Sequence, residues 1–148
     1  MMRTAFHITK RKNLYSILQD GLKINSGISG ICSKVQCSRY GEYYGCQPIF
    51  VTTDISACAR RYLTKEFIEM EDCVCLEVDI FDFKVEYEYQ YVINNWEKFY
   101  NTKELMEKSI FSKPWFGYVI KENIPPEKLR LFSGNLLEFV QLDSGNCG

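Results

Sequence analysis

The stretch that sets the fold is TAFHITKRKNLYSILQDGL, residues 4–22. Its first six residues are rich in β-branched and aromatic types, which is typical of a strand. Apolar residues then recur at the spacing of an amphipathic helix, namely at Leu14, Ile17, Leu18 and Leu22. Gly21 stands where a helix ends on a residue that tolerates positive φ. The stretch therefore predicts a strand, a turn and a helix.

A second strand and helix follow after a long irregular segment. Pro48 precedes the predicted strand Ile49–Thr52, and Thr53 or Asp54 can cap a helix that continues to Phe67. Residues 25–47 between the two units are rich in Gly, Ser and Tyr. Because this segment is longer than the usual limit of about 12–15 residues for a structureless connection, we expect it to be functional or mobile.

The rest of the chain is predicted to consist mainly of strands. We expect strands at residues 73–80, 115–121, 129–132 and 136–142. Residues 81–93 are expected to continue the sheet, and residues 94–106 to form a helix. Early helices among strands, followed by further strands, favour the α+β class over an alternating parallel α/β fold. A chain of 148 residues corresponds to one domain, residues 1–148.

The overall composition excludes several classes of protein. With 46% hydrophobic and 25% charged residues, the chain should fold, which excludes a disordered tail or a collagen-like fibre. A net charge of −1 indicates no general attraction to nucleic acid or lipid, although a local basic patch stays open. No apolar run is long enough for a membrane span, and the first residues lack an apolar signal core, so we expect a cytoplasmic protein.

The seven cysteines are expected to be mostly free thiols. Seven is an odd number, and a cytoplasmic protein rarely holds a full set of disulfides. The spacings Cys32-x4-Cys37 and Cys73-x-Cys75 do not match the paired C-x2-C knuckles of a tetrahedral zinc site, and the chain has one histidine. The sequence therefore predicts no metal site.

The opening stretch resembles the start of the ADP-ribosyltransferase superfamily, in the branch whose first strand ends in His-x-Thr or His-x-Ser. The continuation from Asn13 to Leu22 is similar to DNA-modifying ADP-ribosyltransferase toxins and tRNA 2′-phosphotransferases. The resemblance implies that His7 contacts the adenosine ribose of NAD, that the backbone of Ile8 holds the nicotinamide amide, and that the hydroxyl of Thr9 steadies the pair.

The chemistry of these three residues agrees with that role. A neutral imidazole offers one donor and one acceptor, which match the vicinal hydroxyls of a ribose, and a free strand amide and carbonyl match a carboxamide. The alternative is that His7 is a core histidine whose hydrogen bonds are satisfied within the protein.

A second match covers PIFVTTDISACARRY, residues 48–62, which is similar to the central strand and helix of the superfamily. The resemblance implies that Phe50 stacks on the nicotinamide ring, with Thr52 as the hydroxyl residue of the strand. Tyr62 lies about one residue out of register for the second aromatic. The alternative is that Phe50 and Tyr62 are core residues.

A third match covers FGYVIKENIPPEKL, residues 116–129, similar to a late strand and Pro-Pro turn of the superfamily. Active members carry a glutamate on that strand, but here Trp115, Phe116 and Gly117 occupy the region. Glu138, expected on the last strand, is the candidate catalytic carboxylate. Arg39 is a candidate contact to the diphosphate or the acceptor, since a guanidinium matches phosphate oxygens.

Another pair of acids, in Glu86-Tyr87-Glu88, resembles the Glu-x-Glu of arginine-specific transferases. It comes earlier in the chain than that motif does. We interpret it as an alternating charged face of a strand.

The resemblance as a whole implies an ADP-ribosyltransferase-like fold of split antiparallel β-sheets with a few helices. It implies NAD as the substrate and a protein or nucleic acid as the acceptor of ADP-ribose. Two alternatives stay open: a non-catalytic module that binds NAD, ADP-ribose or a nucleic-acid end, and an NAD-dependent 2′-phosphotransferase-like enzyme.

Overall fold

The computed structural model describes residues 3–26, 44–110 and 117–145, with only the backbone at residues 61, 62 and 141–145. The strands are β1 (Thr4–Lys10), β2 (Ile49–Thr52), β3 (Cys73–Asp79), β4 (Glu86–Tyr87), β5 (Gly117–Ile120) and β6 (Leu129–Leu131). The helices are α1 (Leu14–Asp20), α2 (Ile55–Tyr62), α3 (Lys65–Glu71), α4 (Gln90–Asn94), α5 (Lys103–Ile110) and α6 (Leu136–Gly145). Short 3-10 turns lie at Arg11–Asn13, Trp96–Lys98 and Pro126–Lys128.

The described strands form one antiparallel sheet in the order β4-β5-β2-β1-β3-β6. Strands β1 and β3 pair along their whole length, from Thr4 with Asp79 to Lys10 with Cys73. Strands β1 and β2, in contrast, are paired at Phe6 with Thr52. The sheet therefore consists of two three-stranded halves that meet at one residue pair. The combination of helices with an antiparallel sheet agrees with the predicted α+β class.

Helices cover both faces of this sheet. Because successive side chains of a strand point to opposite faces, Ala5 and Ile8 of β1 belong to two different cores. The first core contains α1 residues and the inward side chains of the strands, namely Ala5, Ile17, Leu22, Ile49, Val51, Leu76, Val78 and Ile120. The second core lies under α2, α3 and α6 and includes Ile8, Ile55, Cys58, Ala59, Ile68, Cys75, Leu136 and Val140.

The predicted end of α1 at Gly21 is confirmed. Gly21 has φ 86° and ψ −178°, and its N–H donates to the carbonyl of Ile17 at 2.7 Å. The next residue, Leu22, exchanges two backbone hydrogen bonds with Ile124, at 2.9 and 2.8 Å. These bonds fix the exit of α1 against the Pro-Pro turn.

The predicted helix from Asp54 to Phe67 is in fact two helices. Asp54 caps α2 as expected, because its side chain accepts from the N–H of Ala57 at 3.0 Å. Thr64 then caps α3, accepting from the N–H of Phe67 at 3.1 Å. A hydroxyl residue that offers a helix cap explains the break.

The predicted strand at residues 136–142 is wrong, because this segment is helix α6. Asn135 accepts hydrogen bonds at the start of the helix from the backbone N–H groups of Leu137 and Glu138, at 3.0 and 3.1 Å. Leu136 and Val140 are one helical turn apart and both are buried in the second core. A run of consecutive apolar residues fits either a buried strand or a helix, and packing against α2 and α3 decides for the helix.

The predictions for residues 81–106 are largely wrong. Only Glu86 and Tyr87 join the sheet, because β4 pairs with the short strand β5 at Val119 and Tyr118. Helix α5 begins at Lys103 rather than at residue 94 or 95, since the side chain of Thr102 accepts from the N–H of Leu105 at 3.1 Å.

The long segment predicted at residues 25–47 lies mostly outside the described residues. Its two ends are joined, because Asn25 donates its N–H to the carbonyl of Gln47 at 3.0 Å. The side-chain oxygen of Asn25 in turn accepts from the N–H of Gln47 at 2.7 Å. This pair closes the segment where it enters β2.

We predict that Gly21→Ala destabilises the fold more than Gly45→Ala does. A Cβ at Gly21 would lie 2.1 Å from the carbonyl oxygen of Ile124, whereas nothing lies within 4 Å of a Cβ at Gly45, which also has positive φ. The backbone conformation of Gly21 alone should cost another residue about 1–3 kcal/mol. Urea unfolding of both variants measures the difference, and equal losses would contradict the packing described for Gly21.

Candidate functional site

The candidate site lies where β1 and β2 part, next to their single residue pair Phe6 and Thr52, and we call this gap in the backbone ladder the cleft. Ladder bonds show which way the backbone of β1 points: the carbonyl of Arg3 accepts from Ile80, and the N–H of Arg11 donates to Asp72, both at 2.8 Å. Odd-numbered residues of β1 therefore direct their backbone groups to β3. By alternation, the N–H and carbonyl of Ile8 point toward β2 and into the cleft.

The side chain of His7 spans the cleft. Its Nδ1 lies 2.7 Å from the carbonyl oxygen of Phe50 on β2. In a regular antiparallel ladder, the pair after Phe6 and Thr52 would join Ile8 to Phe50. The imidazole of His7 contacts the carbonyl of Phe50 in place of the backbone of Ile8, so one side chain bridges the two halves of the sheet.

This contact fixes the tautomer of His7. A carbonyl oxygen only accepts, so Nδ1 carries the proton and donates. Burial lowers the pKa of His7, opposed by the carbonyl of Phe50, which raises it. The ring is therefore neutral at pH 7, and Nε2 is a hydrogen-bond acceptor. The donor that the sequence analysis assigned to a ribose hydroxyl is used within the protein, and only the acceptor is left for a ligand.

Ile8 and Thr9 are placed differently from each other. The side chain of Ile8 packs in the second core, so its backbone is the part that faces the cleft. Thr9 is 1% exposed and shares with His7 the opposite face of β1. The structure thus brings His7 and the backbone of Ile8 to the cleft and places Thr9 beneath them in the sheet.

Phe50 and Thr52 lie on the other side of the cleft and share one face of β2. Phe50 is partly buried, which leaves part of its ring accessible. Thr52 is buried, and its hydroxyl accepts from the N–H of Asp54 at 3.0 Å and contacts the carbonyl of Asp54 at 3.1 Å. The hydroxyl of Thr52 is therefore engaged in the turn that begins α2.

The other predicted site residues are not brought to the cleft. Glu138 is exposed in the first turn of α6, a helix that packs on α2, α3 and β3. Since β3 lies on the far side of β1 from β2, the structure does not join Glu138 to His7 or Phe50. Tyr62 ends α2 with its side chain outside the described residues, and Arg39 lies outside them altogether.

Sequence reasoning missed Glu88. Of the acidic side chains that the structure describes, it is the one in the buried set, at 9% exposure. Glu86, in contrast, forms surface ion pairs with Lys84 and Lys121 at 3.5 and 3.2 Å. The interpretation of the two glutamates as one charged face is therefore wrong for Glu88. No local pattern separates them, because what distinguishes them is their surroundings in the folded chain.

Glu88 is in line, across the strands, with the pair Phe6 and Thr52. Its N–H donates to the carbonyl of Gly117 at 3.2 Å, Gly117 pairs with Thr52, and Thr52 pairs with Phe6. The neighbouring residue, Tyr87, pairs with Tyr118, and the two rings are 6.0 Å apart. Tyr118 packs on the first core, so its partner Tyr87 lies on that side of the sheet. Because successive side chains alternate, Glu88 belongs to the side of the second core, as Thr52 does.

The charge of Glu88 acts on a thiol of α2 and on its neighbour Tyr87. The thiol of Cys58 on α2 has its pKa raised to about 12, first by burial and then by the charges of Glu88 and Asp54. The pKa of Tyr87 is also raised, by burial, by Tyr118 and by Glu88. Glu88 is therefore part of the electrostatic surroundings of Cys58 and Tyr87.

The described cysteines are free thiols, and three of them are buried. Cys46, Cys58, Cys73 and Cys75 are free. Burial raises the pKa of Cys75 to about 12 and also raises that of Cys73. Within residues 3–26, 44–110 and 117–145, no group of three or more His, Cys, Asp or Glu is arranged to hold a metal ion.

Comparison with known proteins adds no assignment. The sequence matches no protein-family model, and no curated protein matches it significantly. In the part of the chain that the structure describes, none of the helices has the length and apolar character to cross a membrane.

We predict that His7 titrates below its ordinary pKa of 6.5 and carries its proton on Nδ1. Between the folded pKa and 6.5 the unfolded chain binds a proton that the folded chain does not. The free energy of unfolding should therefore fall as the pH drops through about 6.5. His7 is the single histidine of the chain, so ¹⁵N–¹H NMR of the imidazole reports it without ambiguity.

In His7→Gln this component of the pH dependence should disappear, because glutamine does not titrate. A folded-state pKa at or above 6.5, or a proton on Nε2, would contradict the contact with Phe50.

We predict that Cys58 and Cys75 alkylate slowly in the native protein and rapidly in denaturant. Their thiols are buried and their pKa values are about 12, so little thiolate forms at pH 8. Timed iodoacetamide labelling followed by peptide mapping measures each rate, with partly exposed Cys46 as the internal control. Equal native rates at the three positions would contradict the burial.

Proposed function

We propose that this chain is an NAD-dependent ADP-ribosyltransferase that transfers ADP-ribose to a macromolecular acceptor. The observation that carries the proposal is the cleft between β1 and β2, which His7 bridges and into which the backbone of Ile8 points. The division of the sheet into two halves at Phe6 and Thr52 supports the split-sheet fold that the sequence resemblance implies.

The residues of the cleft suit the two ends of NAD. Nε2 of His7, an acceptor, suits a ribose hydroxyl, which donates. The N–H and carbonyl of Ile8 suit the carbonyl and amino group of a carboxamide, as a strand suits an added edge partner. Phe50, on β2, offers an aromatic surface for the nicotinamide ring.

The reaction needs these groups to hold the two ends of the substrate while its central bond breaks. The bond between the ribose carbon and the nicotinamide nitrogen breaks, and its electron pair leaves with neutral nicotinamide. A lone pair of the acceptor forms the new bond to the same carbon, and the proton of the acceptor is released. Positive charge develops at the ribose carbon, so a fixed anion beside it accelerates the step.

A binding module is the second candidate, because the exposed position of Glu138 on α6 leaves the predicted catalytic carboxylate away from the cleft. Such a module would bind NAD or ADP-ribose through His7 and Ile8 and release no nicotinamide. The two candidates therefore differ only in whether the protein cleaves NAD and releases nicotinamide.

The test measures NAD binding by calorimetry and nicotinamide release by mass spectrometry. We expect His7→Ala to weaken NAD binding by about 1–3 kcal/mol, the scale of removing one partner from a hydrogen bond in a buried site. Tyr15→Ala, at an exposed position of α1, is the matched control and should bind like wild type.

The outcomes separate the candidates. Binding with nicotinamide release supports the transferase, and binding without release supports the module. Loss of a phosphate from a 2′-phosphorylated oligonucleotide in the presence of NAD would favour the phosphotransferase alternative. If folded His7→Ala keeps full NAD affinity, His7 does not bind NAD and the proposed cleft is wrong.

A further inference from the structure

We infer that the cleft selects dinucleotides whose adenosine ribose has free hydroxyls, that it rejects those with a phosphate on this ribose, and that His7 makes the selection. This inference rests on the proposed function. It predicts that the chain binds NAD and discriminates against NADP, which differs from NAD by one phosphate on the adenosine ribose.

The first reason is the direction of the hydrogen bonds of His7. Its Nδ1 lies 2.7 Å from the carbonyl oxygen of Phe50, so the one N–H of the neutral ring donates to the protein. The other ring nitrogen, Nε2, presents a lone pair and accepts. A ribose hydroxyl can donate to Nε2, whereas the oxygens of a phosphate dianion only accept. A phosphate in the place of the hydroxyl would therefore meet a lone pair.

The second reason is the apolar surroundings of the imidazole. The partner of His7 on β3 is Leu76, and the register of β1 with β2 places Val51 level with it. Ala5 precedes it on the same face of β1. All three neighbours are buried in the first core, and Thr9, the polar neighbour on that face, is 1% exposed. A phosphate brought there would exchange its water for apolar side chains, which is costly.

The third reason is that the charged side chains on the neighbouring strands are already in ion pairs. Strand β2 has no charged residue, and Asp20 is the one charged residue of α1, which packs on the same face. Each charged side chain of β1 and β3 has a partner of opposite charge: Lys10 with Glu71 at 3.0 Å, Asp79 with Arg3 at 3.5 Å, and Glu77 with Arg130. The described strands beside His7 therefore offer a phosphate no unpaired cation, and an anion without a cation is disfavoured in such a place.

The neutral state of His7 holds under the conditions in which the two dinucleotides are compared. Burial lowers the pKa of the imidazole below its ordinary value of 6.5, and the carbonyl of Phe50 opposes this change. At pH 8 the ring therefore has no proton on Nε2, while the extra phosphate of NADP is a dianion. One acceptor then faces another.

The experiment measures the affinities for NAD and NADP by calorimetry at pH 8, in wild type, His7→Gln and Tyr15→Ala. In wild type we expect NADP to bind about 10²-fold more weakly than NAD, because one hydrogen bond is lost and a charge is left without a partner. In His7→Gln this ratio should fall by about tenfold. The amide nitrogen of glutamine has two N–H groups, so one can donate to Phe50 and the other to the phosphate.

The ratio of the two affinities separates recognition from stability. Damage to the fold lowers both affinities by the same factor and leaves their ratio unchanged. Tyr15→Ala, at an exposed position of α1, is the matched control and should keep the wild-type ratio.

Each outcome decides between the proposals. Equal affinities for NAD and NADP in wild type overturn this inference and leave the proposed function standing. An unchanged ratio in folded His7→Gln means that another group excludes the phosphate, which overturns the role of His7. If wild type binds neither dinucleotide, the proposed function fails and the inference fails with it.

A second measurement uses wild type alone and covers the case in which His7→Gln fails to fold. Its probe is an NAD analogue that lacks both hydroxyls of the adenosine ribose. We expect this analogue to bind about tenfold more weakly than NAD, because Nε2 of His7 is left without a donor. Undiminished affinity for the analogue would show that His7 accepts no ribose hydroxyl, and the inference would be overturned.

Discussion

The arrangement of this protein depends on one interruption in its sheet, where β1 and β2 meet at Phe6 and Thr52 and then part. Backbone ladders normally leave no room for a ligand inside a sheet, because each N–H and carbonyl is taken by the next strand. Here the imidazole of His7 replaces a strand contact by donating to the carbonyl of Phe50. The side chain of His7 thus adds a contact between the halves where the backbone ladder is interrupted, and the backbone of Ile8 faces the cleft.

The two halves of the sheet contribute different chemistry to that cleft. The inner half, with β1 anchored along its length to β3, brings a neutral histidine and backbone groups that suit polar recognition. The outer half brings the partly buried ring of Phe50 on β2.

Local sequence signals predicted the elements that are determined by local physics. The strand that contains His7, the helix after it, the stop at Gly21 and the cap at Asp54 all follow from side-chain stereochemistry and nearby hydrogen bonds. The predictions that failed concern segments whose structure depends on long-range contacts. Leu136–Gly145 is apolar enough for a strand or a helix, and its contacts with α2 and α3 decide. In the tyrosine-rich segment 81–93, Glu86 and Tyr87 are the residues that join the sheet, because their partner strand β5 is short.

The sequence by itself determined which kinds of side chain stand on the two strands, with a histidine at position 7 and an aromatic residue at position 50. It could not determine how they act. That His7 donates to Phe50 and keeps only an acceptor for a ligand depends on strands 43 residues apart in the chain. Glu88 is buried while Glu86 forms ion pairs with Lys84 and Lys121, and the backbone of Glu88 is bound by Gly117 and Tyr44, which come from other parts of the chain. The protonation state of His7 and the burial of Glu88 depend on neighbours that are distant in the sequence. Only the tertiary structure could therefore decide them.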